Sequence, residues 1–90
     1  MKFEWDENKN QSNYEKHGIY FDEAVEVFKS DCLTWIDDRK NYGETREITI
    51  GEVSKNIVLV LVHTDRFGNI RIISARKANE RERSKYYDYR

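Results

Sequence analysis

Residues 57–76, IVLVLVHTDRFGNIRIISAR, decide the fold of this chain. The first six are all apolar and lack the alternation of a half-buried strand, so we expect this strand to be covered on both faces and central in its sheet. The segment Asp65 to Asn69 contains Gly68 and predicts a hairpin turn. Ile70 to Arg76 then returns as a second strand. The stretch therefore predicts an antiparallel hairpin in the middle of a sheet.

Two further strands are predicted on the N-terminal side of this hairpin. Leu33 to Ile36 is rich in strand-forming residues, and Arg46 to Val53 alternates, with Ile48 and Ile50 on one face. The charged segment Asp37 to Glu44 between them is expected to be a loop. Short connections between four consecutive strands predict a four-stranded antiparallel meander.

Three helices complete the prediction. The first runs from Glu7 to His17, with Asp6 as its N-cap and Gly18 at its C-terminal end. The second carries an apolar stripe at helical spacing: Phe21, Ala24, Val25 and Phe28. The third opens at a capping box, Asn79 to Glu82. Two helices, four strands and a last helix predict one α+β domain over residues 1–90.

Composition excludes several classes of protein. The longest apolar run has six residues, far short of the roughly 20 that a membrane span needs, and the N-terminus has no apolar secretory segment. A single cysteine, Cys32, excludes a disulfide framework, and a cytoplasmic location is expected. His17 and His63 are the only histidines and have no cysteine partner, so neither a metal nor another cofactor is expected.

Charge is distributed unevenly along the chain, although the formal net charge is only -1. Residues 1–64 carry eight Lys/Arg against thirteen Asp/Glu, whereas residues 65–90 carry eight against four. Local potential rather than total charge steers a polyanion, so the C-terminal quarter is a candidate surface for nucleic acid. The alternative is a solvated helix face with paired charges.

Candidate chemistry lies on the central hairpin. Arg71 cannot be buried without a partner, so its face must open to solvent or to an anion. A three-residue turn would pair His63 with Arg71, and a four-residue turn would put them on opposite faces; the sequence leaves both registers open. If the two side chains share a face, the pair could cleave RNA. The imidazole would take the 2′-hydroxyl proton, and the guanidinium would stabilise the charge on the phosphate. Otherwise His63 is a structural residue at a strand end.

The densest basic cluster surrounds the start of the last helix, where side-chain cations and free backbone amides could meet one anion. Its members are Arg76, Lys77, Arg81, Arg83 and Lys85. Glu80 and Glu82 could instead neutralise these cations through pairs one helical turn apart. The tyrosines of this helix could stack on bases or pack in the core.

Two blocks of the sequence resemble the BrnT toxin family. The first begins with Phe3-Glu4-Trp5-Asp6 and continues through Lys16-His17-Gly18 to Phe21-Asp22-Glu23-Ala24. The second joins Val62-His63-Thr64 to the run Ile70 to Ala78 and continues to Tyr86. Together the blocks extend over nearly the whole chain.

The resemblance implies a RelE-like ribonuclease fold and a toxin of a bacterial type II toxin–antitoxin pair that inhibits translation by cutting RNA. It also implies neutralisation by a ribbon-helix-helix antitoxin, through which alone promoter DNA is bound. The motif positions make a set of catalytic candidates: Lys16, His17, His63, Arg71 and Arg76. Lys77, Arg81, Arg83 and Lys85 are the corresponding RNA-binding candidates.

Two functions follow from these observations. The first is a metal-independent endoribonuclease in which Arg71 and Arg76 hold the phosphate and His63 or His17 transfers the proton. The second is a module of the same fold that binds RNA or an acidic antitoxin segment without catalysis. A thin core and many aromatic residues suggest an apolar patch that a partner covers, and we expect two toxins on an antitoxin dimer.

Overall fold

The computed structural model describes all 90 residues as one sheet with helices on both faces. The elements follow one another as β1 (Phe3–Glu4), α1 (Glu7–His17), α2 (Phe21–Ala24), a 3₁₀ segment (Val25–Lys29), β2 (Leu33–Asp37), β3 (Arg46–Ser54), β4 (Ile57–Arg66), β5 (Asn69–Lys77) and α3 (Glu80–Tyr89). This is an α+β fold, as predicted. No helix is long and apolar enough to cross a membrane.

The sheet has five strands, in the order β1-β5-β4-β3-β2, and not the predicted four. β2 to β5 form the antiparallel meander, whereas β1 lies parallel to β5, with Phe3 opposite Ile70. The first residues alternate apolar and charged side chains, as an extended segment does, but the partner of β1 is far away in the chain, so the sequence does not predict a fifth strand. As predicted, β4 is central and apolar side chains from both of its faces are buried.

The second predicted helix is shorter and tighter than its pattern indicated. Only one turn is α-helical, and the chain then tightens into the 3₁₀ segment. A 3₁₀ helix has three residues per turn. Phe21, Ala24 and Val27 therefore face the core together, whereas Val25 and Phe28, which the 3.6-residue spacing predicts there, are only half-buried.

The central hairpin has a register that neither predicted turn provides. Its loop contains two residues, Phe67 and Gly68, both with positive φ, and Arg66 pairs with Asn69. Two consecutive left-handed residues give the turn a twist that matches the flanking strands. A β-bulge follows, because Val62 pairs with Ser74 while the next residue, His63, pairs with Ile72.

The bulge changes the faces of β5. Strict alternation would place Arg71 and Arg76 on opposite faces and would group Ala75 with Arg71. The extra residue, Ile73, reverses the phase, so Ile72 and Ala75 are buried in the same cluster. Arg71, Ser74 and Arg76 lie opposite Thr64, Val62 and Val60, and therefore share the other face.

Apolar clusters lie on both faces of the sheet. One joins Leu59 and Leu61 to Phe21 and the buried residues of α2 and the 3₁₀ segment. The other joins Ile48, Ile50 and Val60 to Tyr86 of α3. Because α3 leaves part of this second face uncovered, the basic residues of β5 lie beside an open surface.

Candidate functional site

The outer edge of β5 is covered by a side chain instead of a strand. β1 pairs with β5 only as far as Arg71, and the amide of Asn13 on α1 takes over at Ala75. Asn13 Nδ2 donates to the Ala75 carbonyl at 2.9 Å, and the Ala75 N–H donates to Asn13 Oδ1 at 3.1 Å. The same Nδ2 donates to the Ile19 carbonyl at 2.9 Å. This buried amide fixes α1, and with it Lys16 and His17, along the edge of β5.

Three clefts lie along this edge, and neighbouring clefts share lining residues. Arg76 lines the first, Lys16 and His17 line the second, and Arg71 lines the third. Ser74 is common to the first and second clefts, and Ile73 and Lys9 are common to the second and third. We call the three together the basic trough, after the basic residues that line it: Lys9, Lys16, His17, Arg39, Arg46, Arg66, Arg71 and Arg76.

The Arg76 cleft has a volume of about 180 Å³ and contains a fixed guanidinium. Arg76 donates from both terminal nitrogens to the two carboxylate oxygens of Glu82, each at 2.8 Å. Glu82 also accepts from the backbone N–H of Asn79, so the predicted capping box of α3 is confirmed and orients the carboxylate. Bonding to Glu82 raises the pKa of Arg76, and bonding to Arg76 lowers the pKa of Glu82.

A second arginine, Arg39, lines the same cleft. The buried carboxylate of Asp37 accepts from Arg39 Nε at 2.8 Å and from Nη2 at 2.9 Å, and Tyr42 Oη donates to it at 3.1 Å. The Arg39 hydrogen bonds lower the pKa of Asp37 and raise that of Arg39. The guanidinium of Arg39 in turn opposes the charge on Arg76. Sequence reasoning missed Arg39 because it lies in a charged loop without a motif.

Arg71 marks the other end of the basic trough. It donates to Glu4 of β1 at 2.7 Å, and hydrogen bonds from Asn69 and Arg71 lower the pKa of Glu4. Arg46 lies in the same cleft, with its guanidinium 4.0 Å from the ring centroid of Tyr42. Lys9 and Arg66 form no ion pair in this cleft and are free to meet an anion.

His63 is not part of the basic trough. Its Nε2 is hydrogen-bonded to Thr49 Oγ1 at 2.7 Å, and its ring packs edge-on against Phe28. Burial lowers its pKa. Of the two arrangements that the sequence leaves open, the pairing with Arg71 does not form, because the two-residue turn and the bulge set His63 opposite Ile72. The two side chains therefore point to opposite faces, with His63 in the core.

The four RNA-binding candidates near α3 lie outside the basic trough. Lys77 and Arg83 line a separate cleft beside Val58. Arg81 is exposed on α3, and Lys85, one turn later, lines an apolar groove. Of the cations predicted from the sequence, the structure brings together Lys16, His17, Arg71 and Arg76. No group of three or more His, Cys, Asp or Glu side chains is placed to hold a metal ion.

Comparison with known families agrees with this geometry. The family profile described as "Ribonuclease toxin, BrnT, of type II toxin-antitoxin system" matches residues 5–82. The chain belongs to the BrnT ribonuclease-toxin family. Membership in this BrnT family implies a cognate antitoxin as a partner, and it confirms the resemblance given by the two sequence blocks.

A solved BrnT structure supports the same assignment. The crystal structure of the Brucella abortus ribonuclease toxin, BrnT, is similar, with 30% sequence identity and a TM-score of 0.68. The alignment covers 89% of this chain and 99% of the Brucella chain. A comparison with curated protein sequences finds no match.

Proposed function

We propose that this BrnT-family toxin is an endoribonuclease of the RelE-like type that inhibits translation by cleaving RNA in the basic trough. The observation that carries the proposal is the bulge at Ile73, which puts Arg71, Ser74 and Arg76 on one face. Arg39, from one loop, and the Lys16-His17 pair, from helix α1, complete the row of basic residues. From Arg71 to Arg76 the strand spans roughly 15 Å, enough for several contacts to one RNA strand.

The scissile phosphate is placed in the Arg76 cleft. Arg39 and Arg76 already have fixed orientations, since each is held by its own carboxylate, Asp37 or Glu82. Preorganised cations stabilise the charge that develops on a phosphate without reorganising during the reaction. Arg39 Nη1 makes no hydrogen bond within the protein and remains available to a phosphate oxygen.

His17 is the proposed proton-transfer group, because it is the histidine that lines the basic trough. A ring nitrogen of His17 takes the proton of a 2′-hydroxyl, and the 2′-oxygen attacks the adjacent phosphorus. The bond from phosphorus to the 5′-oxygen breaks, and this oxygen takes a proton from water. The products are a 2′,3′-cyclic phosphate and a new 5′-hydroxyl end. The cations supply the charge stabilisation, so we propose cleavage without a metal, which EDTA should leave unchanged.

The partner assignments are part of the same proposal. We place the toxin in the cytoplasm, opposite a ribbon-helix-helix antitoxin in a complex of two toxins on an antitoxin dimer. Promoter DNA is contacted only by the antitoxin. Size-exclusion chromatography with light scattering on the purified complex measures the stoichiometry. A complex of one toxin with one antitoxin would contradict the proposed assembly.

Inducible expression in bacteria tests the activity directly. The wild type should arrest growth and produce new RNA 5′ ends, whereas Arg76→Ala and Arg39→Ala should each lose activity at least 100-fold, as is typical when one charge-stabilising donor is removed. Arg83→Ala is the matched control, because this arginine lies on α3 outside the basic trough, and it should remain toxic. Growth and intact RNA with every variant and the wild type would favour the binding module without catalysis.

A further inference from the structure

An apolar groove lies between α3 and strand β2, on the face of the sheet that carries the second core cluster. Leu33, Trp35, Ile50, Tyr86 and Tyr89 form its apolar lining, and its volume is about 280 Å³. Trp35 is 47% exposed and Tyr89 is 76% exposed, so two large aromatic side chains stand in solvent around it. Water contact of this kind is costly unless a partner covers the surface.

The groove adjoins an unpaired strand edge. β2 is the last strand of the sheet, and its hydrogen-bonded neighbour is β3 alone. The backbone N–H and C=O groups on its outer side therefore remain free to bind an extended segment from another chain. Leu33 and Trp35 lie opposite Ile50 and Ile48 and face the groove. A strand added to β2 would direct every second side chain into the same groove.

The unpaired charge in the groove wall itself is positive. Lys85 lines the groove, and Arg81 lies one helical turn earlier on α3. Neither forms an ion pair. The acidic residue of the groove wall, Glu82, is already neutralised by Arg76. The groove is thus complementary to a segment that combines apolar side chains with acidic ones.

We propose that an extended segment of the cognate antitoxin, apolar at alternate positions and acidic beside them, adds a strand to β2 and fills this groove. The proposal rests on the toxin–antitoxin function of the family. Its apolar side chains cover Trp35 and Tyr89, and its carboxylates pair with Lys85 and Arg81.

This location connects docking with inhibition. Glu82 forms part of the wall of both the groove and the Arg76 cleft, so one side chain separates the antitoxin segment from the proposed phosphate site. A segment bound in the groove is therefore placed to extend over Arg76, and its carboxylates compete with an RNA phosphate for the same cations.

Affinity for the purified antitoxin tests the surface, measured by calorimetry in a His17→Ala background, which removes the proposed proton-transfer group and leaves the Arg76–Glu82 ion pair beside the groove intact. Tyr89→Ala and Trp35→Ala should each weaken binding at least tenfold, and Lys85→Glu should weaken it more at low salt than at high salt. Phe67→Ala is the matched control, because this aromatic residue is fully exposed at the tip of the β4–β5 hairpin, away from the groove. It should bind as the parent does.

Growth assays separate this proposal from the activity itself. With His17 intact, Tyr89→Ala should arrest growth alone and should still arrest it when antitoxin levels neutralise the wild type. Unchanged affinity in both aromatic variants would overturn the groove as the docking surface, whatever the toxicity. The same holds if Tyr89→Ala only converts a toxin dimer to a monomer, since the groove would then bind a second copy of this chain.

Discussion

The side chain of Ile73 is chemically inert, yet its presence as an extra residue in β5 decides which neighbours share a face. If Ile73 were paired as an ordinary strand residue instead of being bulged out, Arg71 and Arg76 would point to opposite sides of the sheet, and Ala75 would leave the core. Bulges of this kind redirect side chains next to functional sites. Strict alternation therefore predicts the wrong set of side chains for each face of β5, and no local sequence pattern indicates the bulge.

His63 makes stability depend on pH. Burial lowers its pKa from the ordinary 6.5, so below that pH the unfolded chain binds a proton that the folded chain does not. The free energy of unfolding should be unaffected above pH 6.5 and should fall as the pH decreases toward the folded pKa. Urea unfolding at pH 7.5 and pH 5.5 measures the loss. The His63→Gln variant should lose less free energy of unfolding between these two pH values. A loss equal to that of the wild type would contradict the assignment of the pH dependence to His63.

Gly51 of β3 is fixed by close packing. A Cβ there would lie 2.8 Å from Ser30 Oγ and 3.1 Å from the Cβ atoms of Cys32 and Val27. Ser30 Oγ donates to the Val27 carbonyl at 2.7 Å and is not free to move away. Gly51→Ala should therefore destabilise the fold by about 1–3 kcal/mol, visible as a lower melting temperature. Adding Ser30→Ala should recover part of that loss, and purely additive effects would argue against this contact.

At the scale of elements, the sequence predicts well wherever the signal is local. The caps of α1 are confirmed, because Asp6 accepts from the N–H groups of Asn8 and Lys9, and Gly18 is left-handed. The continuous apolar run of β4 predicts its central place. The fifth strand, the 3₁₀ segment and the hairpin register depend on contacts between distant residues, which leave little trace in a short window.

The same limit applies to the candidate site. Arg71, Arg76 and the Lys16-His17 pair are found from charge and from the family resemblance. Arg39 is positioned by its carboxylate partner and by the path of a loop, so no spacing rule finds it. The basic residues of α3 look equivalent in sequence, but helix orientation separates them from the basic trough.

The contact between α1 and β5 depends on one amide. Replacing Asn13 with Ala leaves the Ala75 N–H and the carbonyls of Ala75 and Ile19 without their partner, and each such buried group costs about 1–3 kcal/mol. We expect a loss of at least about 2 kcal/mol in urea unfolding, since water can reach part of the opened edge. Amide hydrogen exchange at Ala75 should become faster. Ser12→Ala, an exposed change on the same helix, is the control.

At the scale of the whole molecule, seven of the 16 Lys and Arg residues line the basic trough, although the net charge of the chain is -1. The predicted basic surface was the C-terminal quarter, but α1 and the loop around Arg39 contribute to it as well. RNA binding through such a channel releases counterions, and its affinity falls with salt.

The salt dependence of RNA affinity reports the number of contacts between the protein and RNA phosphates. With a single-stranded RNA made uncleavable by 2′-O-methyl groups, the slope of log affinity against log salt should fall by about 0.7 for each phosphate contact removed. Lys16→Ala and Arg66→Ala should each produce this change, because neither cation has an ion-pair partner in the protein. Arg83→Ala should leave the slope unaltered. An equal effect of all three would mean that RNA covers the surface without a preferred path.

The pairing of β1 with β5 also determines when the fold can be completed during synthesis. Phe3 and Glu4 leave the ribosome long before their partners, Ile70 and Arg71, because Glu4 and Arg71 are 67 positions apart in the chain. The basic trough likewise needs both α1 and β5, which are made early and late relative to each other. A growing chain therefore carries no complete basic trough until β5 has emerged. The proposed activity begins only after that point, so an antitoxin already present can meet the toxin as its site forms.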